Sequence, residues 1–463
     1  MARLVVVSNR VADPRKTAAG GLAVALGDAL ANTGGLWFGW SGQVVEPGSG
    51  HEGPPQQQRA GDVTLATVDL TQAEYEAYYL GYANGVLWPV FHNRIDLAEL
   101  DRSEVEGYRR VNRRFAQQLA SLLRPDDVIW VHDYHLIPLA AELRAIGCQQ
   151  RIGFFLHIPL PPPQILAAIP QHEWLMRALF AYDLLGFQSE TDLAHFGRYV
   201  RNEARAEQRE DDVFHAYGRS VRARALPIGI DVPGFQALLQ GREAQEMLAT
   251  LGEQYAHRRL LLGVDRLDYS KGLPQRLRAF HRLLQHYPEN RRSAVLVQVA
   301  APSRESVSAY HALRLELEGL SGAINSEYGE LDWMPVRYMH RAVARKRLPA
   351  LYRASRVAMV TPLRDGMNLV AKEYVAVQDP ADPGVLLLSR FAGAAEQMTD
   401  ALLVNPYDTQ AVAEATQRAL QMPLQERQAR HQRLLQGICQ QDVHWWQQQF
   451  MSHLMNVPHE EPH

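Results

Sequence analysis

Short apolar runs alternate with segments of helical period along the first half of the chain, as in a parallel α/β sheet. The runs predict strands at Leu4–Ser8, Val63–Val68, Val128–His132, Ile152–His157, Leu184–Phe187 and Ala223–Ile228. Helical spacing covers Leu22–Asn32, Arg109–Leu123 and Leu136–Ile146. After Ile230 the pattern restarts. Strands are predicted at Leu260–Val264, Ala294–Ala300, Val336–Met339, Val357–Thr361 and Val385–Ser389, and helices at Pro274–Tyr287, Ser306–Ser321, Lys346–Ala354, Leu369–Gln378 and Thr409–Gln421. This reads as a second α/β domain of similar design, joined near residues 229–232, with no sequence repeat between the halves. Pro47–Asp62 and the tail Asn456–His463 read as loops or mobile segments. The last helical segment carries Val443, Trp446, Phe450 and Leu454 on one face, suited to packing back across the domain joint or to an ordinary terminal helix.

A length of 463 residues supports the two-domain division, because one ordinary core does not grow that large. Apolar content of 46% with 21% charged residues describes a globular chain. A net charge of −3 offers no case for nucleic acid or an acidic membrane surface as partner. Cys148 and Cys439 form no metal or redox motif, which fits a reducing, cytoplasmic setting. No secretory signal and no membrane-spanning run is expected. Only four of the 48 basic residues are lysines, and two of these, Lys271 and Lys372, fall inside motifs where a compact ammonium would serve better than a planar guanidinium.

The stretch TPLRDGMNLVAKEY, Thr361 to Tyr374, carries the most chemical information. An apolar approach leads into a tight turn at Arg364–Met367 and a helix starting near Asn368. A helix N-terminus offers unpaired N–H groups and partial positive charge to a phosphate. Glu373, one to two turns inside, could accept hydrogen bonds from a ribose, and Asp365 lies where a sugar beyond the phosphates would sit. One strand–turn–helix could thus hold a nucleotide-sugar. LLGVDRLDYSKGL (261–273) places Arg266 and Lys271 after another strand, where two cations would meet a diphosphate and stabilise its departure.

Weaker signals surround these two. VSNR ends in Arg10, and AAGGLAVAL holds Gly20 and Gly21 ahead of a helix without forming a dinucleotide fingerprint. In GLWFGWSG (35–42), Trp37 and Phe38 suit a core and Trp40 a sugar face. His132, Asp133 and His135 resemble metal ligands superficially, but no HExxH or CxxC accompanies them, so no metal is expected. Asp133 and His157 end strands where sugar hydroxyls could be read. Arg304 ends a strand of the second domain, and YYLGYANGVLWP puts Tyr79 and Trp88 in a loop of the first, both placed to hold phosphate. A Walker loop, GxSxG and DxD are all absent from the sequence, which argues against metal-dependent single-domain sugar transferases.

Together, GLWFGWSG, HDYHLIPLA, RLDYSKGL and TPLRDGMNLVAKEY give a chain that resembles the trehalose-6-phosphate synthase family over nearly its whole length. The resemblance implies a retaining glycosyltransferase of the GT-B type, with two Rossmann-like domains and the active site in the cleft between them. Residues 1–230 would bind acceptor and 231–440 the nucleotide-sugar, while 441–463 would form a helix crossing back to the first domain, plus tail. It implies Arg10, Tyr79, Trp88 and Arg304 on the phosphate of glucose 6-phosphate, and Trp40 and Asp133 along the acceptor sugar. Gly21, Arg266 and Lys271 would meet the donor diphosphate. His157 and Asp365 would read the donor glucose, backbone at Asn368, Leu369 and Val370 would cap the diphosphate, and Glu373 would take the ribose. UDP-glucose is the implied donor, with the nucleobase left open by the residues, and neither metal nor cofactor is implied. Leu160 and Gln164 depart from the family's usual Phe and Glu beside the acceptor. A glucosylglycerol-phosphate synthase and an inactive sugar-phosphate sensor are the competing readings. Oligomeric state, dimer or tetramer included, stays open.

Overall fold

The computed structural model describes residues 2–12, 26–27, 30, 34–46, 48, 53–205, 207–210, 212–304 and 307–457. The chain divides into two units, Met1–Pro227 with His444–His463, and Ile228–Val443. Gly20, Gly21 and most of the predicted helix Leu22–Asn32 lie outside the described residues.

The first unit is built on strands β1 (Leu4–Arg10), β2 (Gly35–Val45), β3 (Gln56–Ala60), β4 (Val63–Thr71), β5 (Val128–His132), β6 (Arg151–Phe155), β7 (Leu184–Phe187), β8 (Glu207–Glu210), β9 (Val213–Ala216) and β10 (Arg219–Ala225). Among the described residues they form one sheet in the order β3-β4-β2-β1-β5-β6-β7-β10-β9-β8. The run from β4 to β10 is parallel, with antiparallel β3 and the β8–β9–β10 ribbon added at the edges. Every residue of β5, VIWVH, is buried, as expected of a central strand covered on both faces. Strand order therefore reverses between β1 and β5.

The second unit repeats the plan with β11 (Arg259–Arg266), β12 (Ala294–Ala301), β13 (Val336–Met339), β14 (Val357–Val360), β15 (Val385–Ser389) and β16 (Leu402–Val404). Their order is β13-β12-β11-β14-β15-β16, all parallel, with the reversal between β11 and β14. Both units are thus doubly wound, and the expected pair of Rossmann-like α/β domains is present. In such sheets ligands bind beyond the carboxyl ends of the strands flanking the reversal.

Three readings need correction. The segment holding Tyr79 and Trp88 is not a loop: Tyr75–Leu87 is a π-helix that runs into an α-helix at Trp88–Phe91. Its glycines suggest a loop, but Tyr78, Tyr82, Val86 and Leu87 are buried, and that packing outweighs local propensity. Pro47–Asp62 is not loop throughout, because Gln56–Ala60 pairs antiparallel with β4. The strand placed at Ala223–Ile228 ends at Ala225 and begins earlier, at Arg219.

The last helix, Val443–Met455, explains its apolar face. Trp446, Phe450 and Leu454 are fully buried. Phe450 stacks on Trp130 at 4.6 Å and fills space that a Cβ at Gly153 or Gly186 would occupy. Deleting such a ring typically costs about 3–5 kcal/mol, so this helix is integral to the first unit's core. Among the described residues no helix is long and apolar enough to cross a membrane.

Candidate active site

In the first unit the reversal lies between β1 and β5, and candidate residues gather at those strand ends. Arg10 closes β1 directly opposite Trp40 on β2. The Trp40 ring lies 5.6 Å from that of Tyr79, which stacks on His135 at 5.8 Å. His135 in turn lies 3.9 Å from Tyr134, and Trp88 lies 5.7 Å from Tyr134 on another side. One aromatic chain therefore joins Trp40, Tyr79 and Trp88 to the segment that follows β5. Trp37 and Phe38 are buried, as expected of core residues. Trp40 is also largely buried, with its indole Nε1 donating to the Gln43 carbonyl at 2.7 Å, so it could present an edge or ring face but not its N–H without exchanging that bond.

Asp133 holds a left-handed backbone, φ 76°, which is costly for a non-glycine residue and is kept only where surroundings impose it. Its N–H donates to the Phe155 carbonyl at 2.8 Å, and its Oδ1 accepts from the His157 N–H at 3.2 Å. The ends of β5 and β6 are thereby tied together, with the Asp133 carboxylate beside His157. The His157 ring bonds through Nε2 to His132 Nδ1 at 3.1 Å and through Nδ1 to the Gln188 amide at 3.3 Å. Both ring nitrogens are engaged inside the unit, so a sugar hydroxyl would reach the ring only by replacing one of these bonds.

His132 is completely buried, among Trp130, Trp446 and His157. Burial first, and the neighbouring His157 second, hold its pKa well below the usual histidine range. Burial lowers His157 to about 3. His157 keeps an accessible edge, so His132 is the firmer of the two. A histidine depressed on folding supplies stability that is complete above the unfolded value near 6.5 and is lost as pH falls toward the folded value. Urea unfolding of the parent should therefore weaken faster below pH 6.5 than that of His132→Phe, by up to about 1.4 kcal/mol per pH unit. Parallel pH profiles for the two proteins would show that His132 does not stay neutral in the folded state.

In the second unit the two loops at the reversal meet. β11 runs into RLDYSKG, where Asp268 caps the turn Tyr269–Lys271 by accepting from the Ser270 N–H at 2.9 Å. Gly272 follows at φ 64°, and a Cβ there would lie 2.3 Å from the Thr361 carbonyl, so only glycine fits against the end of β14. The Leu363 N–H then donates to the Ser270 carbonyl at 2.7 Å. This brings the Lys271 ammonium to 2.6 Å from Asp365 Oδ2, with both side chains mostly buried. Asn368 Nδ2 donates to the same oxygen at 3.0 Å. Asn368 itself is left-handed, φ 81°, and its Oδ1 caps helix Leu369–Ala376 through the Ala371 N–H. Leu369 and Val370 thus form the first turn, where N–H groups lack intrahelical acceptors.

Glu373, on the next turn, is buried; its Oε2 accepts from the Tyr352 hydroxyl at 3.2 Å, and its Oε1 lies 3.5 Å from the Arg345 guanidinium. Burial raises its pKa against the lowering effect of Arg345. Arg266 is exposed at the carboxyl end of β11. Arg304, after β12, donates to the Tyr310 hydroxyl at 2.7 Å and lies 3.5 Å from Asp268. Arg304 is also left-handed, φ 49°. Lys271, Asp365, Asn368, Leu369, Val370 and Glu373 therefore share one site, to which Arg304 is linked through Asp268. Gly21 lies outside the described residues.

Sequence reasoning missed Asp268, Tyr310, Arg345, Tyr352 and Gln188; the last three act on candidate residues from more distant stretches of chain, and Asp268 and Tyr310 meet Arg304 only once β11 and β12 are paired. The DYSKG spacing could have pointed to Asp268 as a cap. Leu160 is buried, and its N–H donates to Asp192 Oδ1 at 3.0 Å, whereas Gln164 is exposed. Among the described residues no group of three or more His, Cys, Asp or Glu is arranged to hold a metal ion.

Comparison with known proteins accords with this geometry. Residues 6–456 match the model of glycosyltransferase family 20. The trehalose-6-phosphate synthase of Sinorhizobium fredii is 48% identical over 98% of this chain and 98% of its own. A Burkholderia xenovorans α,α-trehalose-phosphate synthase (UDP-forming), solved in complex with glucose-6-phosphate, is 51% identical and superposes with a TM-score of 0.94, covering 98% of this chain and 100% of that one. The E. coli protein bound with UDP-2-fluoro glucose is 45% identical, with a TM-score of 0.95 over 99% of this chain and 100% of that one. Matched end to end in sequence and in both doubly wound sheets, this chain belongs to glycosyltransferase family 20.

Proposed function

We propose that the chain is a trehalose-6-phosphate synthase, transferring glucose from UDP-glucose to glucose 6-phosphate with retention of configuration and releasing UDP. The observation that carries this reading is the Lys271–Asp365–Asn368 cluster at the N-terminus of the Leu369–Ala376 helix, with Glu373 one turn further in. It supplies, in order, a contact for a sugar, a cradle for a diphosphate and an acceptor for a ribose. The donor glucose would meet Asp365 and His157. The diphosphate would meet Arg266, Lys271 and the N–H groups of Asn368, Leu369 and Val370, with Gly21 allowing close approach. The acceptor would lie against Trp40 and Asp133, its phosphate held by Arg10, Tyr79, Trp88 and Arg304. A cytoplasmic setting accompanies these roles.

Chemically, the carboxylates offer little support for a double displacement, which needs a free nucleophile and a second acid/base group. Asp365 is engaged by Lys271 and Asn368, and Glu373 by Tyr352 and Arg345. A front-face transfer fits better. The departing phosphate oxygen takes the proton of the acceptor hydroxyl as the new glycosidic bond forms on the same face, while Lys271, Arg266 and the helix N-terminus stabilise the developing negative charge.

A steady-state screen of UDP-, GDP- and ADP-glucose against glucose 6-phosphate and glycerol 3-phosphate tests the reading. Turnover with UDP-glucose and glucose 6-phosphate is expected. Preference for glycerol 3-phosphate would instead assign a glucosylglycerol-phosphate synthase. Binding of both substrates without turnover would assign a sugar-phosphate sensor.

A further inference from the structure

Lys372 is a rare lysine inside the most informative motif, and the roles above leave it unused. It sits on the Leu369–Ala376 helix, between the diphosphate-capping first turn and Tyr374, and is 1% exposed. Its ammonium donates to the Ile228 carbonyl at 2.7 Å and to Gln397 Oε1 at 2.8 Å. Both partners are neutral. A buried ammonium held, among the described residues, by neutral acceptors is expensive, and burial lowers its pKa to about 7. A leucine or methionine would fill the same volume at lower cost, so the polar contacts themselves need a reason.

The partners supply one. Ile228 is the first residue of the second unit, where the chain enters it, and the chain leaves again after Val443. These two crossings are bound together inside the unit. The Val443 N–H donates to the Ile230 carbonyl at 3.3 Å, and a Cβ at Gly229 would lie 2.3 Å from the backbone of Asp442. Gln397, the second partner of Lys372, donates through Nε2 to Gln441 Oε1 at the exit. Gln397 is tied as well to the sugar-reading turn, because the short helix Gly393–Glu396 just before it bonds to that turn: Gly393 N–H to the Asp365 carbonyl at 3.2 Å and Ala394 N–H to the Met367 carbonyl at 2.9 Å. One contiguous hydrogen-bonded network therefore runs from the turn and helix proposed to hold the donor to both points where the chain passes between units.

We propose that Lys372 is a positioning residue that links occupancy of the donor helix to the order and geometry of the two chain crossings, Ile228–Asp231 and Gln441–Val443. The inference rests on the donor-site reading above. A ligand that fixes the helix N-terminus would fix Lys372, and through it the segments by which the chain enters and leaves the second unit. Coupling of this kind needs a packed or hydrogen-bonded path whose ends respond together, and this path is short and continuous.

Hydrogen exchange of the full chain, read by mass spectrometry with and without UDP, tests it. In the parent, UDP should slow exchange at residues 365–376 and also at 228–231 and 441–443. In Lys372→Met the first effect should persist and the second should vanish, with kcat lowered roughly tenfold and KM for UDP-glucose little changed, as for loss of one charge-assisted hydrogen bond. Lys372→Arg, which keeps a cation and donors, should recover part of both. Gln397→Leu cuts the same link without touching the lysine and serves if Lys372→Met fails to fold. Undiminished protection at the crossings in either folded variant, or none there in the parent, would overturn the proposal. Absence of protection at 365–376 in the parent would instead overturn the donor-site reading itself.

Discussion

Lys271→Ala should lower kcat by roughly two to three orders of magnitude, the cost of removing one preorganised group of about 3–4 kcal/mol at a developing oxyanion, while KM for UDP-glucose changes little. The structure explains why a lysine stands there. Gly272 turns the backbone left-handed against the Thr361 carbonyl, the Ser270–Leu363 bond locks the two loops, and Nζ is delivered to Asp365 at 2.6 Å. Lysine supplies a compact point charge, whereas Lys271→Arg would bring a bulkier planar guanidinium with its charge spread over three nitrogens, so arginine should rescue poorly. The alanine variant also leaves Asp365 with Asn368 as its remaining contact of this pair, which weakens its hold on a sugar hydroxyl. Steady-state kinetics combined with calorimetric titration of UDP separate these effects. Unchanged kcat, or a loss that appears wholly in UDP affinity, would remove Lys271 from the transition state.

Arg304→Ala should raise KM for glucose 6-phosphate by roughly ten- to a hundredfold, equivalent to about 1.5–3 kcal/mol for a charge-assisted contact, with a far smaller effect on the donor. Arg304 is held for such a task. Its guanidinium is anchored by Tyr310 and Asp268, and Tyr310 in turn donates to Asp268 at 3.1 Å. Its strained backbone, φ 49°, marks a position that the fold maintains at a cost. Because Asp268 also caps the turn that carries Lys271, Arg304→Ala could disturb the donor loop indirectly. Tyr310→Phe controls for this. It loosens the anchor while keeping the cation, and should raise the acceptor KM only severalfold. An acceptor KM unchanged in Arg304→Ala would exclude Arg304 from the acceptor phosphate.

Much of this protein was legible from local pattern. Buried parallel strands read as apolar runs because both faces are covered, and β5, β7 and β15 match their predicted limits for that reason. Helix Thr409–Gln421 matches likewise, with Asp408 capping its start. The motif residues were legible because their chemistry is unusual for their place: cations and carboxylates directly after apolar strands, beside glycines.

Other features depend on contacts that no short window of sequence contains. The π-helix at Tyr75–Leu87 is read as a loop because its glycines lower local helix propensity, while its stability comes from burying Tyr78 and Tyr82. Strand β2 hides in a glycine-rich stretch because what makes it a strand is pairing on both sides, with β1 and β4. The engagement of both His157 nitrogens, the left-handed backbone at Asp133, Arg304 and Asn368, and the capping role of Asp268 all follow from neighbours brought together by strand order. By itself the sequence determined the fold class, the family and the identity of the reactive groups, since these depend on residue type and short-range spacing. Only the tertiary structure decided that the loops after β11 and β14 meet at the reversal of strand order, and that Lys372 reaches the chain crossing, because strand order is set by long-range packing and leaves no periodic trace in the chain.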